Sequence, residues 1–593
     1  MKMSKNIKIM TALVAGLFLY SCQDSFLDKP ALGALSDAQL TTKAGVDNLL
    51  IGAYAALDGN GVGAASAWDA APDNWIYGSI AGGDAHKGSD GTDQAGINAI
   101  MTYSAGASNG FFNSKWKAVY EGINRTNTVL KFAPLATNMS DVQKTDATAQ
   151  ARFLRGHYYS EAKKMYNNVP WIDETTTDPA AQTNTTDIWP KIEADFKFAM
   201  DNLPATQQEV GRANKWAAAS YLAKTLVYQK KFTEAKTLFD QIISQGVTSN
   251  GLKYALSEKY EDNFDGATKN NSESIFAVQA AANDGTNTID NANAGSMLNH
   301  PYGSSPFGCC GFYQPSQDLV NAFRTDPATG LPFVDNYNAS MVKNDMNILS
   351  TAPFTPDETS LDPRLDWTVG RRGLPYHDWG NHPGQAWVRL QSYAGPYAPK
   401  KHIYWQATQD KYSDRHSWAP GSAINILIIR YADVLLLAAE AEAQAGTLAK
   451  AQEYVNLVRA RAANPKGWLY KYKNDAKPLE GFSTTPAANY KVAVYSPGAF
   501  AALGKDKALK TIYFERRLEL GMEGHRFFDL SRWGISEETL NAYIQYESKI
   551  TSDILGGKFV KGKNEYYPIP QSQIDLSTRG GVSSLKQNPN YQQ

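Results

Sequence analysis

The chain has 593 residues, with 58 basic against 59 acidic side chains and a formal net charge of −1 at pH 7. That length exceeds the usual single domain, and the charge balance lacks the basic excess that nucleic-acid binders carry. Hydrophobic residues are 43% and charged residues 20%, which excludes a chain disordered throughout. Trp, Tyr and Phe supply 68 rings, more than the number of acidic residues. Rings that fall outside any core periodicity therefore carry information.

At the N-terminus, Lys2, Lys5 and Lys8 precede and flank an apolar run over 9–20. The run is too short to span a bilayer and has the length of a secretory h-region. It closes on Leu19-Tyr20-Ser21-Cys22, which resembles a bacterial lipobox with a bulky Tyr20. Residues 1–21 read as a signal peptide. Cys22 reads as the acylated residue, anchoring the mature protein through lipid instead of a spanning helix.

Helical signals then dominate the first and last thirds. Residues 42–57 can pair with 112–132 across a loop-rich block, 59–96, and 151–166 can pair with 188–203 across Pro170 and Trp171. Residues 216–228 and 233–244 flank a short turn, and Ala235 and Phe239 give the A-x3-F spacing of a tetratricopeptide repeat. A last pair runs from 426 to 463, broken at Ala445-Gly446-Thr447. Such pairs stack into one continuous core. Between about 281 and 422 the helical period fails, and turn chemistry such as Asn381-His382-Pro383-Gly384 takes over. The predicted organisation is a helical region over 22–280, an irregular insertion over 281–423 and a C-terminal helical region over 424–593.

No H-E-x-x-H, Walker loop or G-x-S-x-G is present. Gly59-Asn60-Gly61-Val62-Gly63 lacks the strand and spacing of a dinucleotide loop, so no cofactor is expected. Asp90 and Asp93 read as turn residues and not as an EF-hand loop. Cys309 and Cys310 are adjacent, between Gly308 and Gly311. Alone they cannot build a tetrahedral metal site, so no metal is expected. A vicinal disulfide and a pair of small buried side chains both remain open.

The segment from Phe514 to Gly534, FERRLELGMEGHRFFDLSRWG, resembles the C-terminal signature of the SusD/RagB family, the surface glycan-binding lipoproteins of Bacteroidota. Phe153-Leu154-Arg155, Gly211-Arg212-Ala213, Arg430-Tyr431-Ala432-Asp433-Val434 and Tyr567-Pro568-Ile569-Pro570 fit the same family in order. The resemblance implies a mainly α fold: about four tetratricopeptide-like helix pairs in a right-handed superhelical scaffold, with a large irregular ligand-binding part. It implies a SusC-like TonB-dependent outer-membrane transporter as partner, capped by this chain as a lid. It also implies an outer-membrane, surface-exposed location and no catalysis. Some members serve peptide uptake, so a peptide ligand stays open, as does a glycoside hydrolase of unfamiliar type. Gly83-Asp84-Ala85-His86-Lys87-Gly88 resembles a family loop usually carrying Asp-Asp-Ala, with one acid missing.

The signature itself reads as structure. Glu515, Arg516, Arg517 and Glu519 alternate in sign within one turn, favouring local ion pairs. Glu523, His525, Arg526 and Asp529 look like an acid–base cluster but read better as paired buried charges.

The ligand residues are expected in the irregular blocks. A sugar site needs flat rings for C–H faces and planar polar groups for hydroxyls. One cluster spans Trp68, Asp73, Asn74, Trp75 and Tyr77; another surrounds the cysteine pair; a third runs from Tyr376 to Trp405. The predicted stacking rings are Trp75, Tyr302, Trp379 and Trp387. The predicted hydrogen-bonding groups are Asp73, Asn74 and Arg389, with Cys309 and Cys310 as a flat platform beside them.

Overall fold

The computed structural model describes residues 36–60 and 66–591. The signal segment 1–21, Cys22 and Gly61-Val62-Gly63 lie outside the described residues.

In chain order, helix α1 spans Lys43–Ala55, strand β1 Ala85–Gly88, α2 Gly110–Phe132, α3 Asp141–Tyr166 and α4 Trp189–Asn202. Then come α5 (Lys215–Tyr228), α6 (Phe232–Gln245), β2 (Ser274–Val278), β3 (Phe312–Pro315) and β4 (Ile426–Arg430). Helices α7 (Tyr431–Ala445), α8 (Leu448–Ala463), α9 (Lys505–Leu520) and α10 (Arg526–Trp533) follow. Capping fixes several helix starts. The side chains of Thr42, Asn109, Asn214 and Thr447 accept first-turn N–H groups, and Ser140 with Gln143 forms a capping box.

Four helix pairs stack as the sequence implies: α1 on α2, α3 on α4, α5 on α6 and α7 on α8, with each pair packed on the next. The α2–α3 approach is close. A Cβ at Gly122 would fall onto the Tyr158 ring, so only glycine fits there. No helix among the described residues is long and apolar enough to cross a membrane.

Residues 426–430, which open the last predicted pair, are not helical. They form β4, antiparallel to β2, with Val278 opposite Ile426 and Ser274 opposite Arg430. The run Ile426-Leu427-Ile428-Ile429 is short and rich in β-branched residues, where a strand and a buried helix turn look alike. This strand pair staples the two ends of the irregular block. A second pair, β1 with β3, sets His86 opposite Gln314 and Gly88 opposite Phe312, and draws the early loop onto the later one.

The irregular block builds its own core. Phe307, Tyr376, Trp387, Ile403, Tyr404 and Ile424 bury together, with Trp379 packed against them. A neighbouring cluster joins Trp367, Leu374 and Tyr260 to Leu469 and Tyr490. Much of the loop-borne aromatic excess is therefore packing for a segment that has no helical face to bury.

The charges that the signature places on α9 pair with other segments; the local pair in the signature is Arg532 with Asp529 in α10, at 2.8 Å. Arg430 reaches Glu273 at 2.7 Å, Glu519 at 2.6 Å and Glu523 at 2.8 Å. Arg364 holds Glu519 at 2.9 Å and Glu515 at 2.8 Å, and Arg461 also pairs with Glu519. Arg516 spans Asp433 at 2.8 Å and Asp529 at 3.0 Å. The local pairs expected within α9 do not form, because these side chains point into the interior and meet acids and bases from other segments. The lattice locks α9 and α10 onto α7, α8, β2 and β4.

Candidate ligand-binding face

The nine predicted ligand residues separate into two places. Trp75 is 0% exposed. It starts a π-helical turn, Trp75–Ile80, entered through Asn74 at φ 50. Its ring packs against Tyr313 at 5.6 Å and Phe312 at 6.4 Å, so it presents no open face to a ligand. The stacking role expected of it gives way to a core role. Asp73 and Asn74 face inward, lining a cleft with Glu161, Lys164 and His525. Asn74 Nδ2 donates to Glu161 Oε2 at 3.0 Å, and Asp73 Oδ1 accepts the Trp75 N–H at 3.2 Å. Burial pushes the Asp73 carboxyl up to about 6 and the His525 imidazole down to about 4.

The other six gather around the 300–311 loop. The Tyr302 N–H donates to the Trp387 carbonyl at 2.9 Å, and the Arg389 guanidinium lies over the Tyr302 ring at 5.1 Å. Arg389 is held in place by Ser89 Oγ at 2.7 Å, Asp93 Oδ2 at 2.9 Å and Asp90 Oδ2 at 2.5 Å, with its side chain still partly exposed. Asp90 also accepts the N–H groups of Thr92 and Asp93, which makes the turn read from sequence. Trp387 is buried edge-on to Tyr376 and His382, and so serves the core. Trp379 stays half-buried, its Nε1 donating to the Tyr404 carbonyl at 2.8 Å and its ring edge-on to Phe307.

Cys309 and Cys310 are joined by a disulfide, one of the two states the sequence left open. Gly308 and Gly311 sit at φ 81° and 78°, the left-handed region that glycine adopts without strain. Cys310 packs into the main core. Cys309 stays half-buried against a surface cluster of Ala294, Met297, Ala419 and Trp68.

Beside that cluster stands a residue the sequence did not single out. Trp418 is 62% exposed and stands edge-on to Trp68, with ring centroids 6.1 Å apart at 87°. It lies in the turn that joins two short paired strands, Ser413–Asp414 and Gly421–Ser422. A lone ring in Ser417-Trp418-Ala419-Pro420 has no periodicity to mark it; the Pro-Gly turn beside it is the sole local signal. The indole Nε1 of Trp68 is enclosed without a hydrogen-bond partner. Trp418, Trp68 and the half-buried Cys309 thus form an aromatic ridge at the surface. Among the described residues, no group of three or more His, Cys, Asp or Glu side chains is placed to hold a metal ion.

Residues 272–591 match the model of the SusD family. The chain belongs to the SusD family. Residues 25–227 also match a model described as starch-binding, associating with outer membrane. A SusD-like protein of Formosa agariphila is 25% identical over 436 residues, covering 71% of this chain and 70% of that one. The structure of a SusD superfamily protein from Bacteroides vulgatus superposes with a TM-score of 0.66 at 20% identity, covering 92% of this chain and 98% of the other. Surface glycan-binding protein A from Bacteroides thetaiotaomicron, solved in complex with laminarihexaose, gives a TM-score of 0.62 at 20% identity, covering 92% and 99%.

Proposed function

We propose that this SusD-family chain captures an oligosaccharide or polysaccharide on the Trp68–Trp418 ridge and passes it to a SusC-like TonB-dependent transporter, which it caps as a lid. The observation that carries this reading is Trp418, a large ring left 62% exposed beside a second indole in a protein that buries most of its rings. Exposed flat rings suit the apolar C–H faces of sugars, and Trp418 beside Trp68 offers such a ring to solvent. The laminarihexaose complex of the Bacteroides thetaiotaomicron relative supports a glycan as the ligand class. Tyr302, Trp379 and Arg389 remain proposed participants at the edge of the face, with the Cys309–Cys310 disulfide as its floor. Asp73, Asn74, Trp75 and Trp387 act from behind it through packing. The function is binding without catalysis, and acylation of Cys22 tethers the chain to the outer membrane.

Calorimetry against laminarin, starch, fructan, hemicelluloses and host glycans tests the reading. We expect saturable binding to one of them, weakened at least tenfold by Trp418→Ala with an unchanged circular dichroism spectrum. Failure to bind any of them, or full affinity in the variant, refutes it. Isolation of the tagged chain from outer membranes tests the transporter, and analysis of glycan length after long incubation tests the absence of hydrolysis.

A further inference from the structure

The loop 289–295 has the tryptophan ridge on one side. Ile289 and Trp68 pack against one small cluster that includes Ala294, and the Asn293 N–H donates to the Ser422 carbonyl at 2.8 Å. On its other side lies a cavity of about 240 Å³, walled by Tyr54, Asp58 and Ile426 as well as by the loop's own Asp290 and Asn293. This volume falls below the usual range for drug-sized ligands and suits a single sugar ring. The chemistry of its walls is one-sided. Among the described residues, two carboxylates line it and no Lys, Arg or His does. The side chain of Asn293 is 5% exposed, and its Oδ1 has no hydrogen-bond partner. The nearest cation acting on Asp58 is Arg125, which is itself held by Glu121 at 2.8 Å and by the Gly52 carbonyl at 3.0 Å. Burial first, and the Asp290 charge as well, push the Asp58 carboxyl up to about 6, the behaviour of an acid without a close counter-ion.

We propose that this pocket receives the ammonium-bearing ring of an amino sugar, one unit of a glycan whose neighbouring units lie on the tryptophan ridge. A neutral hexose would satisfy the Asn293 oxygen but leave the part-buried Asp58 carboxylate without a close counter-ion, with the exposed Asp290 at the rim adding to the negative charge. A primary ammonium offers three donors and the missing positive charge. A sugar fits better than a lysine side chain, because the pocket and the aromatic ridge share one loop. This inference rests on the glycan-binding reading.

The test uses glucosamine and N-acetylglucosamine as probes, by calorimetry or saturation-transfer NMR on the full chain. Glucosamine should bind at least tenfold more tightly than its acetylated form. Asp58→Asn combined with Asp290→Asn should erase the difference; both changes keep shape, and circular dichroism checks the fold. Trp418→Ala should leave the preference in place, so loss of ridge binding and loss of pocket binding separate cleanly. Equal affinity for the two sugars overturns the proposal, whatever the ridge does. So does a lysine-containing peptide that binds where glucosamine does not.

Discussion

Glu519→Gln is the sharpest test of the view that the family signature is structural. The carboxylate is 0% exposed and pairs with Arg364, Arg430 and Arg461. The surrounding hub is balanced: Asp362, Glu273, Glu515, Glu519 and Glu523 face Arg364, Arg430, Arg459, Arg461 and Lys401. Glutamine preserves the shape and one acceptor but leaves five cations against four anions in the interior. Breaking a buried pair on one side costs about 3–5 kcal/mol, most of it the penalty for the charge left behind. Urea unfolding followed by circular dichroism should show a loss of that size. Glu453→Gln is the control. Its 2.8 Å pair with Lys450 is exposed on both sides, and such pairs contribute about 0–1 kcal/mol. A loss below about 1 kcal/mol for Glu519→Gln, or a loss equal to that of the control, refutes the lattice argument. Retained glycan affinity in folded Glu519→Gln separates the lattice from the site.

Two further outcomes follow from the buried groups. His86 sits between Asp553 at 3.0 Å and Glu547 at 3.1 Å, fully enclosed. A neutral imidazole donates through one nitrogen alone, so the two carboxylates hold it as imidazolium and raise it to about 10 against burial, which also pushes the Glu547 carboxyl up. A raised folded pKa means that the stabilisation is full below about pH 6.5 and is lost as pH rises through about 10. His86→Asn should therefore trail the wild type by roughly 3–5 kcal/mol at pH 6, with the gap closing toward pH 10 in parallel denaturation series; a pH-independent gap contradicts the imidazolium. Trp75→Ala should cost about 3–5 kcal/mol of stability, because it removes a core ring; a variant of native stability that loses glycan binding would restore Trp75 to the ligand face.

The helix pairs were legible because their signal is local. Ala235 and Phe239 recur on one face of α6, and Thr447 marks the start of α8, wherever those helices end up in space. The roles of the loop rings were not legible, because an aperiodic segment is packed by partners distant in sequence. Trp75 is covered by Phe312 and Tyr313, and Trp387 by Tyr376 and His382. Ring density marked the blocks, and within them the structure buries Trp75 and Trp387. Trp418, standing alone in a turn, contributed little to any local density and is the most exposed ring among the described residues.

The signature and the proposed ligand face are joined through the strand that carries the altered family loop. Arg517 in α9 holds Asp84 at 3.1 Å and Asp318 at 2.6 Å. Asp84 lies directly before β1, and its carbonyl accepts the Ser316 N–H at 3.0 Å, at the far end of β3. At the near end, the Ser89 N–H donates to the Gly311 carbonyl at 2.6 Å, while Ser89 Oγ holds Arg389. The cysteine pair and Tyr302 are thereby referenced to the buried lattice through two short strands. A flat binding surface on irregular chain would otherwise pay the ordering entropy of its loops at each encounter. Here that entropy is spent on folding, because ion pairs fix α9, α9 fixes β1, and β1 with β3 fixes the loop that carries Cys309, which packs on the same cluster as Trp68.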